Sequence, residues 1–400
     1  MKKNQKILIT NFTYLPHVGG VENSIKFISD EFKLKGFNTI VMCGDKKSGY
    51  EKLNNIEIYR FKRQKIIKIK FFRFLNYYFD ILSIIFTYIK VLKKNKIFFC
   101  ISRNAICLIA IKILTPLKKV IFIPPAISFY QEKKNLDEFQ GNKLKKYILK
   151  FCYNKIVLGQ NLIFELLAIL ISTKTIVFSK LMKEQVYNFI KFKEILVIPP
   201  GIDIKKFSIL NSVQKKNLKK NLKIPEGKKI FLIIARLVQV KNISFIIKLS
   251  KFVKNSHFIV VGDGPEKSKL IWLSHKLNKK NISFFDKTLN VNKFYSISDF
   301  FLMPSIYEPF GQTTLEANAS GIEIVGIKPS KEKKIENANL EIIKNNTNGV
   351  LFNNSYTSAV YNLNSLNLKK NNIEKKNSIR LYVKNRYLWS KLVEKILFLI

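Results

Sequence analysis

The chain has 400 residues, enough for two or three domains. Its 47% hydrophobic and 24% charged composition, with only 15 Gly and 11 Pro, excludes a mini-protein, a collagen-like repeat and a disordered chain. The formal charge of +44 points toward an acidic partner, nucleic acid or an anionic membrane. Only seven of the 71 cationic residues are Arg, however, and the remainder are Lys in a background of Asn, Ile and Phe. AT-rich codons produce that mixture, so the charge reports mutation pressure as readily as a partner. Specific nucleic-acid readers favour the Arg fork, and no zinc knuckle, RNP-like string or basic-zipper heptad occurs, so no nucleic-acid partner is expected.

In chain order, the predicted strands of the first half are Lys6–Thr10, Thr39–Met42, Ile56–Phe61, Ile97–Ile101, Val120–Ile123 and Thr175–Phe178, with helices over Gly20–Lys35 and Leu75–Lys93. Near-continuous apolar strands joined by helical crossovers predict a parallel sheet covered on both faces. Two apolar stretches, Phe71 to Leu92 and Ile156 to Ile171, are interrupted by Arg73, Asp80 and Lys90 and by Gln160 and Glu165. Both read as buried or interfacial helices rather than membrane spans. Cys43, Cys100, Cys107 and Cys152 have no metal-ligand spacing and read as buried free thiols. The first residues lack the apolar core of an export signal, which leads us to expect a cytoplasmic protein.

The Pro200-Gly201 punctuation and the Lys-Asn-rich span Asn211 to Gly227 predict an interdomain connection. The alternation then restarts, with strands Lys229–Ala235, His257–Gly262, Ile282–Phe285, Asp299–Pro304 and Ile322–Gly326. The helices between them are Asn242–Val253, Glu266–Leu277, Val291–Ser298 and Gly311–Ser320. The reading is α/β, with two Rossmann-like doubly wound parallel-sheet domains facing across a cleft. The expected domains are 1–198 and 199–380, followed by a helix over 381–400 that crosses back to the first.

Three constellations carry chemistry. Gly19-Gly20 follow the first strand and open a helix, where free backbone N–H groups favour anions. Arg236 and Lys241 follow the first strand of the second half, a fork and a point charge suited to a diphosphate. Glu308, Phe310, Gly311, Gln312 and Glu316 follow a strand end and open a helix. There Glu308 suits sugar hydroxyls, the Gly311 turn suits phosphate and Glu316 suits a ribose diol. The alternatives are a helix-start cation pair, a capping acid and an exposed helical Glu.

The segment from Glu308 to Glu316 resembles the Glu-x7-Glu signature of the retaining glycosyltransferases of family 4, also described as glycosyl transferases group 1, which adopt the GT-B fold. Pro16 with Gly19-Gly20-Val-Glu22, Phe178-Ser179-Lys180, Pro200-Gly201-Ile-Asp203 with Phe207, Val261-Gly-Asp-Gly-Pro265, Ala317-Asn-Ala-Ser-Gly321 and Trp389 are similar to further family motifs in the same order. The resemblance implies a nucleoside-diphosphate-sugar (NDP-sugar) donor and retention at the anomeric carbon, with no bound metal or other cofactor. It implies that Arg236 and Lys241 hold the diphosphate, Glu308 the transferred sugar and Glu316 the ribose, with Gly19 and Gly20 contributing from the other domain. Expected partners are the donor, a glycan or lipid-linked acceptor and an anionic membrane surface. The sequence departs from the family pattern at Val120 to Ala126, which lacks the usual His, at Asp286 in place of a glycine, and in the Lys-rich stretch between Gly326 and Glu341.

A sugar-nucleotide-binding protein without catalysis is the alternative reading, and a basic nucleic-acid-binding protein is a weaker one. For membrane contact, the sequence points to Lys62, Arg63, Lys65, Lys68, Lys70 and Arg73 together with the aromatics Phe71, Phe72, Phe74, Tyr77, Tyr78 and Phe79. The competing expectation is a helix whose aromatics face the sheet.

Overall fold

The computed structural model describes residues 5–16, 19–53, 56–63, 75–131, 144–277, 280–367 and 373–400, with the side chains of 144–154 excepted. The chain divides into two compact units, Met1–Pro200 with Trp389–Ile400, and Gly201–Leu388.

The first unit is built on an eight-stranded sheet. Its strands are β1 (Lys6–Asn11), β2 (Asn38–Asp45), β3 (Gly49–Leu53), β4 (Ile56–Lys62), β5 (Ile97–Ser102), β6 (Val120–Phe122), β7 (Lys174–Val177) and β8 (Ile195–Val197). They lie in the order β3-β4-β2-β1-β5-β6-β7-β8. Ile7, Leu8 and Ile9 are fully buried in succession, because helices cover both faces of the central strands. Every pairing is parallel except β3 with β4, which is antiparallel. All five residues of β3 are exposed, so this edge strand has no apolar run to announce it. Cys43, Cys100 and Cys107 are buried free thiols, and burial pushes Cys43 up to about 12, so these thiols stay protonated and inert.

The second unit carries β9 (Lys229–Ile234), β10 (Ser256–Val261), β11 (Ile282–Phe285), β12 (Phe300–Met303), β14 (Glu323–Ile327) and β16 (Gly349–Phe352). A separate two-strand ladder pairs β13 (Tyr307–Glu308) with β15 (Glu336–Asn337). The main sheet is parallel throughout and ordered β11-β10-β9-β12-β14-β16. Counted within the unit this is the 3-2-1-4-5-6 order of a dinucleotide-binding sheet, which reverses direction between β9 and β12. Next to that reversal, the Phe231 ring stacks with those of Phe258 at 5.1 Å and Phe300 at 5.4 Å.

The return to the first unit begins at Trp389 rather than at 381. Helix Ile373–Arg386 stays with the second unit because Arg380 Nη1 donates to the carbonyls of Phe207 and Ala319, and Lys375 pairs with Glu323. Helix Trp389–Phe398 belongs to the first unit, where Trp389 stacks on Phe27 at 5.8 Å and Lys35 pairs with Glu394 at 2.6 Å.

His257 on β10 is buried, with its Nε2 2.9 Å from Ser283 Oγ, and burial lowers its pKa from 6.5 to about 4. A depressed histidine contributes stability that is present above pH 6.5 and lost as pH falls toward 4, because the unfolded state binds the proton first. Urea unfolding at pH 7 and pH 4.5 is expected to show a loss of about 2 kcal/mol from this residue, after discounting for screening. The part of the pH dependence due to His257 should vanish in His257→Gln.

Candidate functional site

The loop after β9 and the loop after β12 flank the strand-order reversal of the second unit, where parallel sheets open a crevice at their carboxyl ends. One backbone bond joins the two loops, and two more tie the second loop to residues 336–338. Ile306 N donates to Val240 O at 2.8 Å, Glu336 N to Ile306 O at 2.8 Å and Ala338 N to Glu308 O at 3.0 Å. These bonds bring Lys241 against Glu308, with Nζ 2.5 Å from Oε2 and both side chains mostly buried.

Arg236 lies earlier on the same loop. It is exposed, and its guanidinium has no side-chain partner among the described residues. Two glycines of the following βα turn hold this loop from below. Gly262 and Gly264 have φ of +153° and +156°. A Cβ on Gly262 would sit 1.9 Å from Ala235 O, and one on Gly264 would sit 2.4 Å from Leu237 O. Leu237 N donates to Asp263 O at 2.8 Å, and Glu266 N donates to Leu237 O at 3.0 Å.

Gly311, with φ of +84°, turns the chain into helix Gln312–Ala319. A Cβ there would crowd Met303 Cε at 3.1 Å and Glu308 Cγ at 3.3 Å, so glycine keeps Glu308 in place. Glu316, one and a half turns along, accepts from Tyr295 Oη at 2.9 Å through Oε2. Burial is the main cause that raises its carboxyl pKa; the Tyr295 hydrogen bond and the charge of Lys206 work in the opposite direction. A pair of hydroxyls could donate further hydrogen bonds to such a carboxyl.

Arg236, Lys241, Glu308, Gly311 and Glu316 therefore lie on loops and a helix of one carboxyl edge. Two other expected site side chains face the protein. The Phe310 ring is buried edge-on to Tyr387 at 6.1 Å, and Gln312 Nε2 donates to Gly201 O at 2.9 Å. These contacts tie the helix start to Gly201 and Tyr387, at the two ends of the unit. Tyr295 was missed by sequence reasoning. It is one of 16 tyrosines, and nothing local marks its distant partner.

In the first unit, Gly19 and Gly20 begin helix Gly20–Leu34 beside the reversal between β1 and β5, and a Cβ on Gly20 would meet nothing within 4 Å. Glu22 turns back over this start. Its Oε1 accepts from Thr13 Oγ1 at 2.5 Å, and its Oε2 would lie 2.7 Å from a Cβ on Gly19. A carboxylate already occupies the favourable end of the helix dipole, so Gly19-Gly20 suit sugar hydroxyls better than phosphate. At the end of β5, Arg103 is buried, donates to Ser24 Oγ at 3.0 Å and lies 4.9 Å from the Phe178 ring centre. Burial lowers its pKa to about 9. Arg103 is therefore held in place by burial, Ser24 and the Phe178 ring. Among the described residues, no group of three or more His, Cys, Asp and Glu could hold a metal ion.

Each of the two units carries a doubly wound parallel sheet, as in the GT-B fold. Residues 214–386, nearly all of the second unit, match the family of glycosyl transferases group 1. Over 188 residues the chain is 29% identical to an uncharacterized glycosyltransferase of Methanocaldococcus jannaschii, which covers 45% of this chain and 46% of that protein. Over 141 residues it is 36% identical to the alpha-monoglucosyldiacylglycerol synthase of Acholeplasma laidlawii, covering 33% and 35%. The chain thus spans less than half the length of these curated relatives. The fold is similar to that of sucrose-phosphate synthase from Thermosynechococcus elongatus, with a TM-score of 0.77 at 14% identity over 98% of this chain and 97% of that one. It is also similar to Anabaena HepE in complex with UDP and glucose, with a TM-score of 0.72 at 14% identity over 98% of both chains.

Proposed function

We propose that the protein is a retaining glycosyltransferase that moves a sugar from an NDP-sugar donor to a glycan or lipid-linked acceptor in bacterial cell-surface polysaccharide or glycolipid synthesis. It would work in the cytoplasm, peripherally at the inner face of the cell membrane. The observation that carries this reading is the Lys241–Glu308 pair, on the same loop as the exposed Arg236, at the strand-order reversal. The group 1 match of the second unit and the glycolipid-forming relative support it.

In this reading Arg236 forks two oxygens of the diphosphate, and Lys241 neutralises the charge that grows on the leaving phosphate. The three ammonium protons of Lys241 let it hold phosphate and Glu308 together. Glu308 accepts from hydroxyls of the transferred sugar, and Glu316 accepts from the ribose through Oε1 while Tyr295 holds Oε2. The bond from the anomeric carbon to the phosphate oxygen breaks as the acceptor oxygen approaches from the same face, and the departing phosphate takes the acceptor proton. Such chemistry needs charge neutralisation and positioning more than a strong protein base. No metal or other cofactor enters this scheme, and nucleic acid is not a partner in it.

A thermal-unfolding screen with UDP-, GDP- and ADP-sugars tests the reading. A donor present at about a hundred times its Kd is expected to stabilise the fold by about 2.7 kcal/mol. Absence of a shift with all three classes would remove the donor assignment.

A further inference from the structure

The basic segment that the sequence suggests for membrane contact lies mostly outside the described residues, which include only Lys62 and Arg63 of its cations. Arg63 turns inward, with its guanidinium 4.8 Å from the centre of the Phe12 ring, and Tyr77 stacks on the same ring at 6.2 Å. A surface of the first unit that shares only Tyr78 with that set has the right chemistry. On helix Asn76–Lys94 the outward positions recur every fourth residue as Tyr78, Leu82, Phe86 and Lys90, and Phe86 is 65% exposed. On helix Leu144–Ile171 the outward positions after Ile156 are Ile163, Leu167 and Leu170, with Ile163 63% exposed. The two helices meet through Tyr78 and Phe164, whose rings are 5.8 Å apart edge to face.

A solvated helix face normally carries charge, but these two faces are apolar over successive turns. Each helix contains a single acid, and both acids are turned inward. Asp80 is buried, and the buried Glu165 accepts from Ser128 N and Oγ at 2.8 to 2.9 Å. The exposed charges that remain on the described parts of these helices are Lys90, Lys93, Lys94 and Lys155. No described helix is long and apolar enough to cross a membrane.

We propose that the joint outward face of these two helices, centred on Tyr78, Leu82, Phe86, Ile163, Leu167 and Leu170, docks on an anionic lipid bilayer. Apolar side chains enter the acyl boundary while Lys90, Lys93, Lys94 and Lys155 meet acidic headgroups. An interfacial helix pair of this composition gains from apolar burial and from each cation near the surface. A second copy of the chain is a poorer occupant, because self-association would bring lysines against lysines with no exposed acid on either helix to answer them. The surface gives the lipid-linked acceptor of the proposed function a place to be met, but its test needs no sugar donor, so the two readings fail separately.

The experiment is co-sedimentation of the full chain with phosphatidylglycerol-rich and with phosphatidylcholine vesicles, at low and at 1 M salt. Wild type is expected to bind the anionic vesicles, with binding weakened by salt because screening shortens the field to about 3 Å at 1 M. Ile163→Glu combined with Leu167→Glu should weaken that binding at least tenfold, while Trp272→Glu, at an exposed position of the second unit, should not. Both substituted positions are solvent-facing, and far-UV circular dichroism checks that the helices persist. A second variant reads insertion directly. Leu167→Trp is expected to show blue-shifted emission on anionic vesicles and none on neutral ones. Undiminished binding of the double variant, an unshifted Leu167→Trp spectrum, or a dimer that the double variant abolishes without any vesicle binding would each overturn the proposal.

Discussion

Lys241→Ala is expected to lower sugar transfer by about two orders of magnitude, and Arg236→Ala by at least about tenfold, since a charge-assisted contact to phosphate is worth roughly 1.5–3 kcal/mol. The larger figure for Lys241 follows from its second role. Removing the ammonium leaves the Glu308 carboxylate, mostly buried and 2.5 Å from its former partner, without a counter-charge. Arg236 has no such dependent, so its loss should appear chiefly as weaker donor binding. Lys216→Ala is the proper control, because that side chain is 71% exposed in the same unit. Turnover close to wild type in both site variants would dismantle the diphosphate assignment.

Separating the two acids is the second large effect. Glu316→Gln should weaken the affinity for bare nucleoside diphosphate, because a neutral amide accepts less strongly from a ribose diol; Tyr295 can still donate to the amide oxygen, so the fold should be retained. Glu308→Gln should leave that affinity intact while lowering transfer, since its partners would be sugar hydroxyls and Lys241. Calorimetric titration of the diphosphate beside steady-state kinetics gives both readouts. Equal weakening of diphosphate binding in the two variants would mean that the acids share one subsite.

Much of this architecture is visible in local sequence. β1, β2, β9 and β10 are near-continuous apolar runs because both of their faces are covered, and Gly311 announces a turn that only glycine makes without strain. What escaped local reading depends on distance or on polarity. β3 is exposed at every residue and exists by pairing with β4. The pairing of Lys241 with Glu308 spans 67 positions and is made by the bond from Ile306 N to Val240 O, a main-chain contact that leaves no trace in residue type. The contacts of Phe310 with Tyr387 and of Gln312 with Gly201 likewise span about 80 and 110 positions and leave no local mark.

The contact between Gly262, Gly264 and the Arg236 loop has a consequence for engineering. The carbonyls of Ala235 and Leu237 lie where any β-carbon at those glycines would be, and Leu237 is bonded to both Asp263 and Glu266. Residues 235–242 and 261–266 therefore behave as one exchangeable module. A chimaera that imports the first segment from a relative while keeping the second would graft a loop onto a seat cut for another. Crossover points for recombination belong outside both segments, ahead of β9 and after Glu266.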